Sequence, residues 1–192
     1  RWEKDRDYML QYFKTMNVDY IVLEAGNDAN VQFEQVQSML KKGIDVLIMV
    51  PVNSNTAHVI VEKAQQEGVK VIAYDRLIVD CDLDFYLSFD NVKVGQLQAD
   101  FLTRIKPSGR YMILGGSPED YNSVLVRLGQ MIILEPLITR GDVEIVLDRN
   151  VPKWDSDNAY RIMQAFLRDN QAPDAVVAAN DGFAEGVCRA LE

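Results

Sequence analysis

Short apolar runs alternate along this chain with longer segments in which apolar residues recur at helical spacing. Most of the runs lack the polar alternation of a half-exposed strand, so they are typical of strands that are buried on both faces of a parallel sheet. The predicted strands are residues 20–23, 46–50, 69–74, 111–114, 143–147 and 175–178.

The segments between these runs show the spacing of amphipathic helices. One clear set is Ala57, Ile60, Val61 and Ala64, which recur at i, i+3, i+4 and i+7. Gly68 ends that helix just before the next strand, as helix stop signals do. Repeated strand-plus-helix units predict an α/β fold in which parallel sheets are flanked by helices.

A composition break in the middle of the chain predicts two lobes. Residues 106–109, Lys-Pro-Ser-Gly, stop a helix and allow a crossing between domains. We therefore expect an N-terminal lobe of residues 1–106 and a C-terminal lobe of residues 107–192. Residues 75–84 are predicted to form an unusually long loop after a strand, at the sheet edge where open α/β folds bind ligands.

Composition argues against several classes of protein. The 192 residues carry a formal charge of −9, and an acidic surface repels the phosphates of nucleic acid. No apolar run reaches the length of about 18 residues that a membrane-spanning helix needs, so direct membrane insertion is not expected. The two cysteines, Cys81 and Cys188, are predicted to be free thiols, since two cysteines make no disulfide framework.

The sequence gives little support to catalysis. Its one histidine, His58, is expected to be a solvated or capping side chain. Clusters of His and Cys, a catalytic triad and a GxSxG turn are absent from the sequence. Acidic pairs such as Glu119-Asp120 are expected to be solvated loop charges. These observations predict a protein that is not an enzyme and uses no cofactor or metal.

Polar side chains with planar hydrogen-bonding groups follow several of the predicted strands. Because the carboxyl ends of parallel strands share one edge, these groups can converge on one cleft. Carboxylate, amide and guanidinium groups match the hydroxyls of a sugar, and an indole face suits its C–H surface. The residues concerned are Asp75, Arg76, Asp120, Tyr121, Asn122, Asp148, Arg149, Asn150, Asn180 and Asp181, together with the two tryptophans, Trp2 and Trp154.

Each of these residues also has a purely structural interpretation. An Asp after a strand often caps the next helix, and an Asp-Arg pair is often a surface ion pair of small value. A Trp near a helix start is often a packing anchor. Spacing alone leaves the structural and the sugar-binding interpretations open.

Several segments carry a resemblance to a known family. They are residues 1–7 (RWEKDRD), 71–78 (VIAYDRLI), 84–91 (DFYLSFDN) and 114–118 (LGGSP), with a less specific match at 178–181 (AAND). Over essentially its whole length the chain resembles the D-xylose-binding protein family, within the type I periplasmic binding proteins. The Tyr-Asp-Arg loop is shared more widely among pentose and hexose binders, whereas the Arg-Trp opening and the Gly-Gly-Ser-Pro stretch point to xylose.

The resemblance implies a role for each matching position. Trp2 and Trp154 would stack on the two faces of a pyranose, and Asp90 and Asp181 are weaker candidates for the site. The residues that would hydrogen-bond the sugar hydroxyls are Arg1, Asp75, Arg76, Asn122 and Asn180.

The chain departs from the family at both ends. The family has a strand ahead of the Arg-Trp helix and continues well past the position of Asn180. We therefore expect this chain to be part of a longer protein, with its first strand and C-terminal part missing and its pocket incomplete.

The resemblance also implies a function. It is extracytoplasmic binding of a monosaccharide, D-xylose in the first instance, in a periplasm or on a cell-surface lipoprotein of a Gram-positive host. Hinge closure of two lobes would deliver the sugar to the membrane subunits of an ABC importer. Two alternatives share the fold. One is a xylose sensor that presents its ligand state to a membrane histidine kinase, a chemosensing role. The other is the ligand-sensing core of a LacI-type transcription regulator, which would need a helix-turn-helix ahead of residue 1.

Overall fold

The computed structural model of the chain describes residues 2–169 and 171–192. In this part of the chain the strands form two separate parallel sheets of three strands each. The first sheet has the order β1-β2-β3, with β1 Val46–Met49, β2 Lys70–Tyr74 and β3 Phe85–Leu87. The second has the order β5-β4-β6, with β4 Gly109–Gly115, β5 Val143–Asn150 and β6 Ala175–Ala178.

From residue 29 onward helices alternate with the strands, as the sequence predicts, except that β3 follows β2 without a helix between them. Polar caps and glycines fix their ends: the Asp28 carboxylate accepts from the amides of Asn30 and Val31, and Gly141 ends a long helix with φ 79°. The helices of the described residues are α1 Trp2–Thr15, α2 Ala29–Lys41, α3 His58–Gln66, α4 Asn91–Ile105, α5 Tyr121–Arg140, α6 Ser156–Asp169 and α7 Asp181–Leu191. A 3₁₀ turn, Pro152–Trp154, precedes α6.

The second sheet is covered by helices on both faces. On one face Met112 and Leu114 share a core with Phe183 of α7. On the other face Tyr111 and Ile113 pack in a core that includes Leu134 of α5. All of these side chains are fully buried, so the prediction of a strand buried on both faces is confirmed for residues 111–114.

The first sheet is fully covered on one face only. There Leu47, Val71 and Ala73 are buried in a core to which α2 and α3 contribute. On the opposite face Val46 and Ile48 are 48% and 40% exposed. The expectation that residues 46–50 are buried on both sides is therefore wrong, because no described helix packs over that face along β1.

Residues 20–23 are predicted as a strand, and this prediction is wrong. The run has no regular secondary structure, and its apolar side chains are about two-fifths exposed, from Ile21 at 39% to Leu23 at 44%. A strand needs a neighbour to complete its ladder of hydrogen bonds. Within residues 2–169 and 171–192, no strand pairs with this run.

Helix α4 belongs to the core of the second sheet, although the predicted boundary at residues 106 and 107 puts it in the first lobe. Ala99 of α4 is fully buried together with Tyr111 and Leu134. At Gly95 and Gly129 the backbones of α4 and α5 approach so closely that an added Cβ would overlap a backbone carbonyl of the other helix. The packing unit around the second sheet therefore begins with α4, and the boundary at 106 and 107 stays a prediction.

Two further predictions concern loops and thiols. Residues 75–84 form the expected long connection after β2, which ends in the short strand β3, a strand that the sequence did not predict. That strand has only three residues, which is too short for a hydrophobic pattern to indicate a strand. Phe85 and Leu87 in it are half exposed. Cys81 and Cys188 are free thiols, as predicted.

Replacement of Gly129 by alanine tests the close approach of α4 and α5. The added Cβ would overlap the carbonyl oxygen of Val92, so the helices have to move apart. We expect the free energy of unfolding to fall by about 1–3 kcal/mol in denaturant titrations, as for other overpacked sites. Gly182→Ala is the matched control, since its Cβ would have only ordinary contacts at 3.6 Å and 3.7 Å. Equal stability of the two variants would contradict the close packing.

Candidate functional site

Asp75 and Asn122 join the two sheets at the carboxyl ends of their strands. Asp75 follows β2 directly, and Asn122 lies in the first turn of α5, beyond the end of β4. The amide Nδ2 of Asn122 donates to the Asp75 carbonyl oxygen at 3.0 Å and to its carboxylate Oδ2 at 3.3 Å. Both residues are buried, at 6% and 7% exposure. The strand ends of the two sheets therefore meet, as the parallel arrangement predicts.

The backbone of Asp75 is itself unusual. Its φ is 65°, in the left-handed region that a non-glycine residue seldom adopts. Three side chains hold the Asp75 carbonyl in this geometry, because Ser88 Oγ donates to it at 2.6 Å and Tyr86 Oη at 3.4 Å, in addition to Asn122. Strained residues of this kind persist where their surroundings fix them, and they concentrate at ligand sites.

Arg76 and Asp120 form an ion pair between the loops of the two sheets. Arg76 Nε lies 2.8 Å from Asp120 Oδ2, a charge contact without the linear geometry of a hydrogen bond. The two side chains are 13% and 5% exposed. Arg76 Nη1 also donates to the Pro51 carbonyl at 3.2 Å, and its guanidinium carbon lies 5.8 Å from the centre of the Trp2 ring. A pair this well buried is costly to break, because removal of one partner leaves the other charge unpaired.

Trp154 continues the network into the second sheet's helices. Its indole Nε1 donates to the same oxygen of Asp120, Oδ2, at 3.1 Å. The ring stacks on Phe183, with 5.6 Å between ring centres and 17° between planes. Contacts thus run from Trp2 through Arg76 and Asp120 to Trp154.

The environment of Asp120 alters its acidity. Burial raises the pKa of its carboxyl, and the nearby charge of Asp75 acts in the same direction. The Arg76 charge and the hydrogen bonds from the Asn122 amide and Trp154 oppose this rise without cancelling it. Asp120 therefore takes up a proton at a higher pH than an ordinary aspartate does.

Ser54 provides a second link between the loops. It is 1% exposed, its amide donates to the Glu119 carbonyl at 2.9 Å, and its hydroxyl accepts from the Tyr121 amide at 3.2 Å. On its own side the Ser54 carbonyl accepts from the Val79 amide at 3.1 Å. The loop before α3 is therefore fixed to the turn that starts α5.

The structure brings five of the predicted site residues together. Those in the contact network are Trp2, Asp75, Arg76, Asn122 and Trp154. Arg1 lies outside the described residues. What the network binds is not fixed by these contacts, so a sugar-binding role for each residue stays a prediction.

Asn180, Asp90 and Asp181 lie at helix starts. The Asn180 side chain caps α7 by accepting from the Phe183 amide at 2.8 Å, and Asp90 caps α4 by accepting from the Lys93 amide at 2.9 Å. Asp181 is the exposed first residue of α7. The capping interpretation raised for polar residues after strands thus holds for Asn180 and Asp90, and their sugar-binding roles stay predictions.

Sequence reasoning assigned no site role to two residues of the network, Asp120 and Phe183. Asp120 is expected to be a solvated loop charge, and this is wrong, because it is 4% exposed and paired with Arg76. Its position at the start of α5, two residues before Asn122, is a signal that could have identified it. Phe183 had no comparable signal, since an apolar residue in the first turn of a helix is ordinary core.

In the described residues, no group of three or more His, Cys, Asp and Glu side chains is arranged to hold a metal ion. Among the helices of residues 2–169 and 171–192, none has the length and apolar character to cross a membrane.

Comparison with known proteins places this geometry in a family. Residues 2–192 match the family model described as "Periplasmic binding protein domain". The chain is 44% identical over 192 residues to the D-xylose-binding periplasmic protein of Escherichia coli (strain K12), and 45% identical over 192 residues to the protein of the same name from Haemophilus influenzae. Each alignment covers 100% of this chain and 58% of the relative, so the chain spans little more than half the length of these proteins.

A solved structure gives the same result for the fold. The chain superposes with a TM-score of 0.92 on an ABC transporter solute binding protein from Clostridium phytofermentans with bound beta-D-glucose. The two are 27% identical, and the match covers 100% of this chain and 64% of the other. Parallel sheets flanked by helices, with converging strand ends, are the periplasmic binding protein architecture, and the chain belongs to the periplasmic binding protein domain family.

Proposed function

We propose that the protein containing this chain binds one monosaccharide, D-xylose, between two lobes outside the cytoplasm, and carries out no chemistry on it. The observation that carries the proposal is the contact network from Trp2 through Arg76 and Asp120 to Trp154, which joins the loops of the two sheets. The identity of 44–45% to two D-xylose-binding periplasmic proteins supports the choice of sugar and location.

The chemistry of the network suits a neutral carbohydrate. Asp75 and Asp120 supply acceptors, Arg76 supplies donors in a fixed plane, and Asn122 supplies both. Indole rings at Trp2 and Trp154 offer flat apolar surfaces for the C–H face of a pyranose. Trp2 is 41% exposed, so its ring is accessible to a ligand. Binding sites of this kind combine few polar groups with an apolar wall.

The proposal includes closure of two lobes about a hinge. The sequence places the boundary at residues 106 and 107, but the packing of α4 on the second sheet supports a crossing ahead of α4, near residues 88–90. A sugar favours the closed state only through contacts that the open state lacks. Arg76 and Asp120 lie on opposite sides of this crossing, so a ligand that touches both would supply such contacts.

Delivery to the membrane subunits of an ABC importer is the proposed next step. The solved ABC transporter solute binding protein, at 27% identity over the whole chain, supports this step. The periplasmic location in the names of both curated relatives supports an extracytoplasmic protein over the core of a transcription regulator.

Replacement of Trp154 by alanine tests the proposed stacking. We expect affinity for D-xylose to fall by about 2 kcal/mol or more, roughly 30-fold in Kd, as for a buried aromatic anchor. The measurement is calorimetric titration of the protein at its natural length against D-xylose, D-ribose, L-arabinose and D-glucose. Phe101→Ala, which removes a 67% exposed ring on α4, is the control and should leave affinity unchanged. If the wild-type protein bound none of these sugars, the proposed function would be wrong.

A second prediction concerns pH. Protonation of Asp120 removes the charge that faces Arg76, so we expect D-xylose affinity to fall as pH falls through the raised pKa of Asp120, above the range of an ordinary aspartate. Protonation of Asp120 has the opposite effect on stability. A carboxyl whose pKa is raised by folding binds its proton more tightly in the folded state, so its contribution to the free energy of unfolding increases as pH falls.

Calorimetric titrations and thermal unfolding over a pH series measure the two trends. The Asp120→Asn variant should bind weakly at every pH and lack the pH step. A wild-type affinity that stays constant as pH falls through the range in which ordinary aspartates take up a proton would contradict the role given to the ion pair.

A further inference from the structure

The backbone that carries Trp154 is held in an unfavourable conformation. Lys153 and Trp154 are consecutive non-glycine residues in the left-handed region, with φ of 59° and 55°. For a bulky residue this is a rare conformation that costs free energy, and it persists only when surrounding contacts fix it. One such contact is the Lys153 amide, which donates to Ser117 Oγ at 3.0 Å.

Phe183 fixes the indole from the side of the protein core. Its ring is fully buried and lies nearly parallel to the Trp154 ring, with 5.6 Å between centres. Its own position is set by the start of α7, because the Phe183 amide donates to the Asn180 side chain at 2.8 Å. This stack covers one face of the indole, and Trp154 is a partly exposed residue.

Gly116 fixes the indole along a different direction. A Cβ at this position would overlap the six-membered ring of Trp154, with Cη2 and Cζ2 as the nearest atoms. The glycine is therefore required for close approach of the ring to the end of β4. Its φ lies outside the left-handed region, so alanine would fit the backbone, and the three atoms nearest to the added Cβ all belong to the indole.

We propose that Phe183 and Gly116 are positioning residues that set the plane and depth of the Trp154 ring in the cleft, and through it the affinity for the sugar. This inference rests on the proposed function. Neither residue is required to touch the ligand. The strained backbone, the stack and the close approach at Gly116 all act on the indole in the position in which its Nε1 donates to Asp120. A preorganised ring loses little freedom when a sugar stacks on it, which strengthens binding.

Two substitutions test the proposal in protein at its natural length. Gly116→Ala should displace the indole and raise the Kd for D-xylose about tenfold or more, and Phe183→Leu should raise it about three- to tenfold through loss of the aromatic stack. Gly115→Ala is the matched control for the first, because the one atom that its Cβ would overlap among the three nearest is Oδ1 of the exposed Asn150 side chain, and the indole is not among these atoms. Gly182→Ala, with ordinary contacts, is the control for the second. Both controls should keep the wild-type Kd.

A fluorine spectrum separates positioning from a general loss of stability. The chain has two tryptophans, so 5-fluorotryptophan labelling gives a signal for each within it, assigned with Trp2→Phe. In Gly116→Ala and Phe183→Leu the Trp154 signal should shift or broaden while the Trp2 signal and the thermal unfolding cooperativity are kept.

The outcomes distinguish this inference from the proposed function. An unchanged Trp154 signal in both variants, or a shifted signal with wild-type affinity, would overturn the positioning role. If the wild-type protein bound no sugar in the calorimetric series, the proposed function would fail, and the fluorine spectra would still decide whether Phe183 and Gly116 set the ring position.

Discussion

The ion pair between Arg76 and Asp120 is the interaction on which the arrangement of the site depends. Each residue follows the end of a strand, Arg76 in the first sheet and Asp120 in the second, and both are largely removed from water. A buried charge is tolerated only with a partner, so each of these groups requires the other loop to be present. Trp2 lies beside the guanidinium, and Trp154 donates a hydrogen bond to the carboxylate. The positions of both indoles therefore depend on this pair.

The fold explains why such a pair can form. In a parallel sheet all carboxyl ends lie on one edge, and two such edges that face each other bring their loops into contact. The second sheet is covered on both faces, with β4 buried between two helical layers. The first sheet holds its loop through the left-handed Asp75 and its three donors, Ser88, Tyr86 and Asn122. Polar groups of the two loops are thereby presented in fixed directions, which suits a ligand with fixed hydroxyls.

Much of the architecture could be predicted from the apolar pattern, because buried parallel strands and amphipathic helices have different periods. The pattern failed where burial depends on what lies opposite. Residues 20–23 have the composition of a strand but no partner strand in the described chain. Residues 46–50 have the composition of a strand that is buried on both faces, but Val46 is exposed. The packing of α4 against the second sheet also could not be predicted, because the close approach at Gly95 and Gly129 joins segments that are distant in sequence.

The candidate site was predictable in part for the same reason. Asp75, Arg76 and Asn122 follow strand ends, and topology brings strand ends together. Asp120 was misread because its residue type fits a solvated loop equally well, and only the structure shows that Arg76 faces it. Phe183 was missed because a stack against Trp154 involves two residues whose proximity leaves no pattern in the sequence.

A crystal structure of the protein at its natural length with D-xylose tests the central claim most directly. We expect one sugar between the loops of the two sheets, within hydrogen-bonding distance of Arg76 and with its ring against the Trp154 indole. A sugar bound elsewhere, or bound while Arg76 and Trp154 face away from it, would contradict the account.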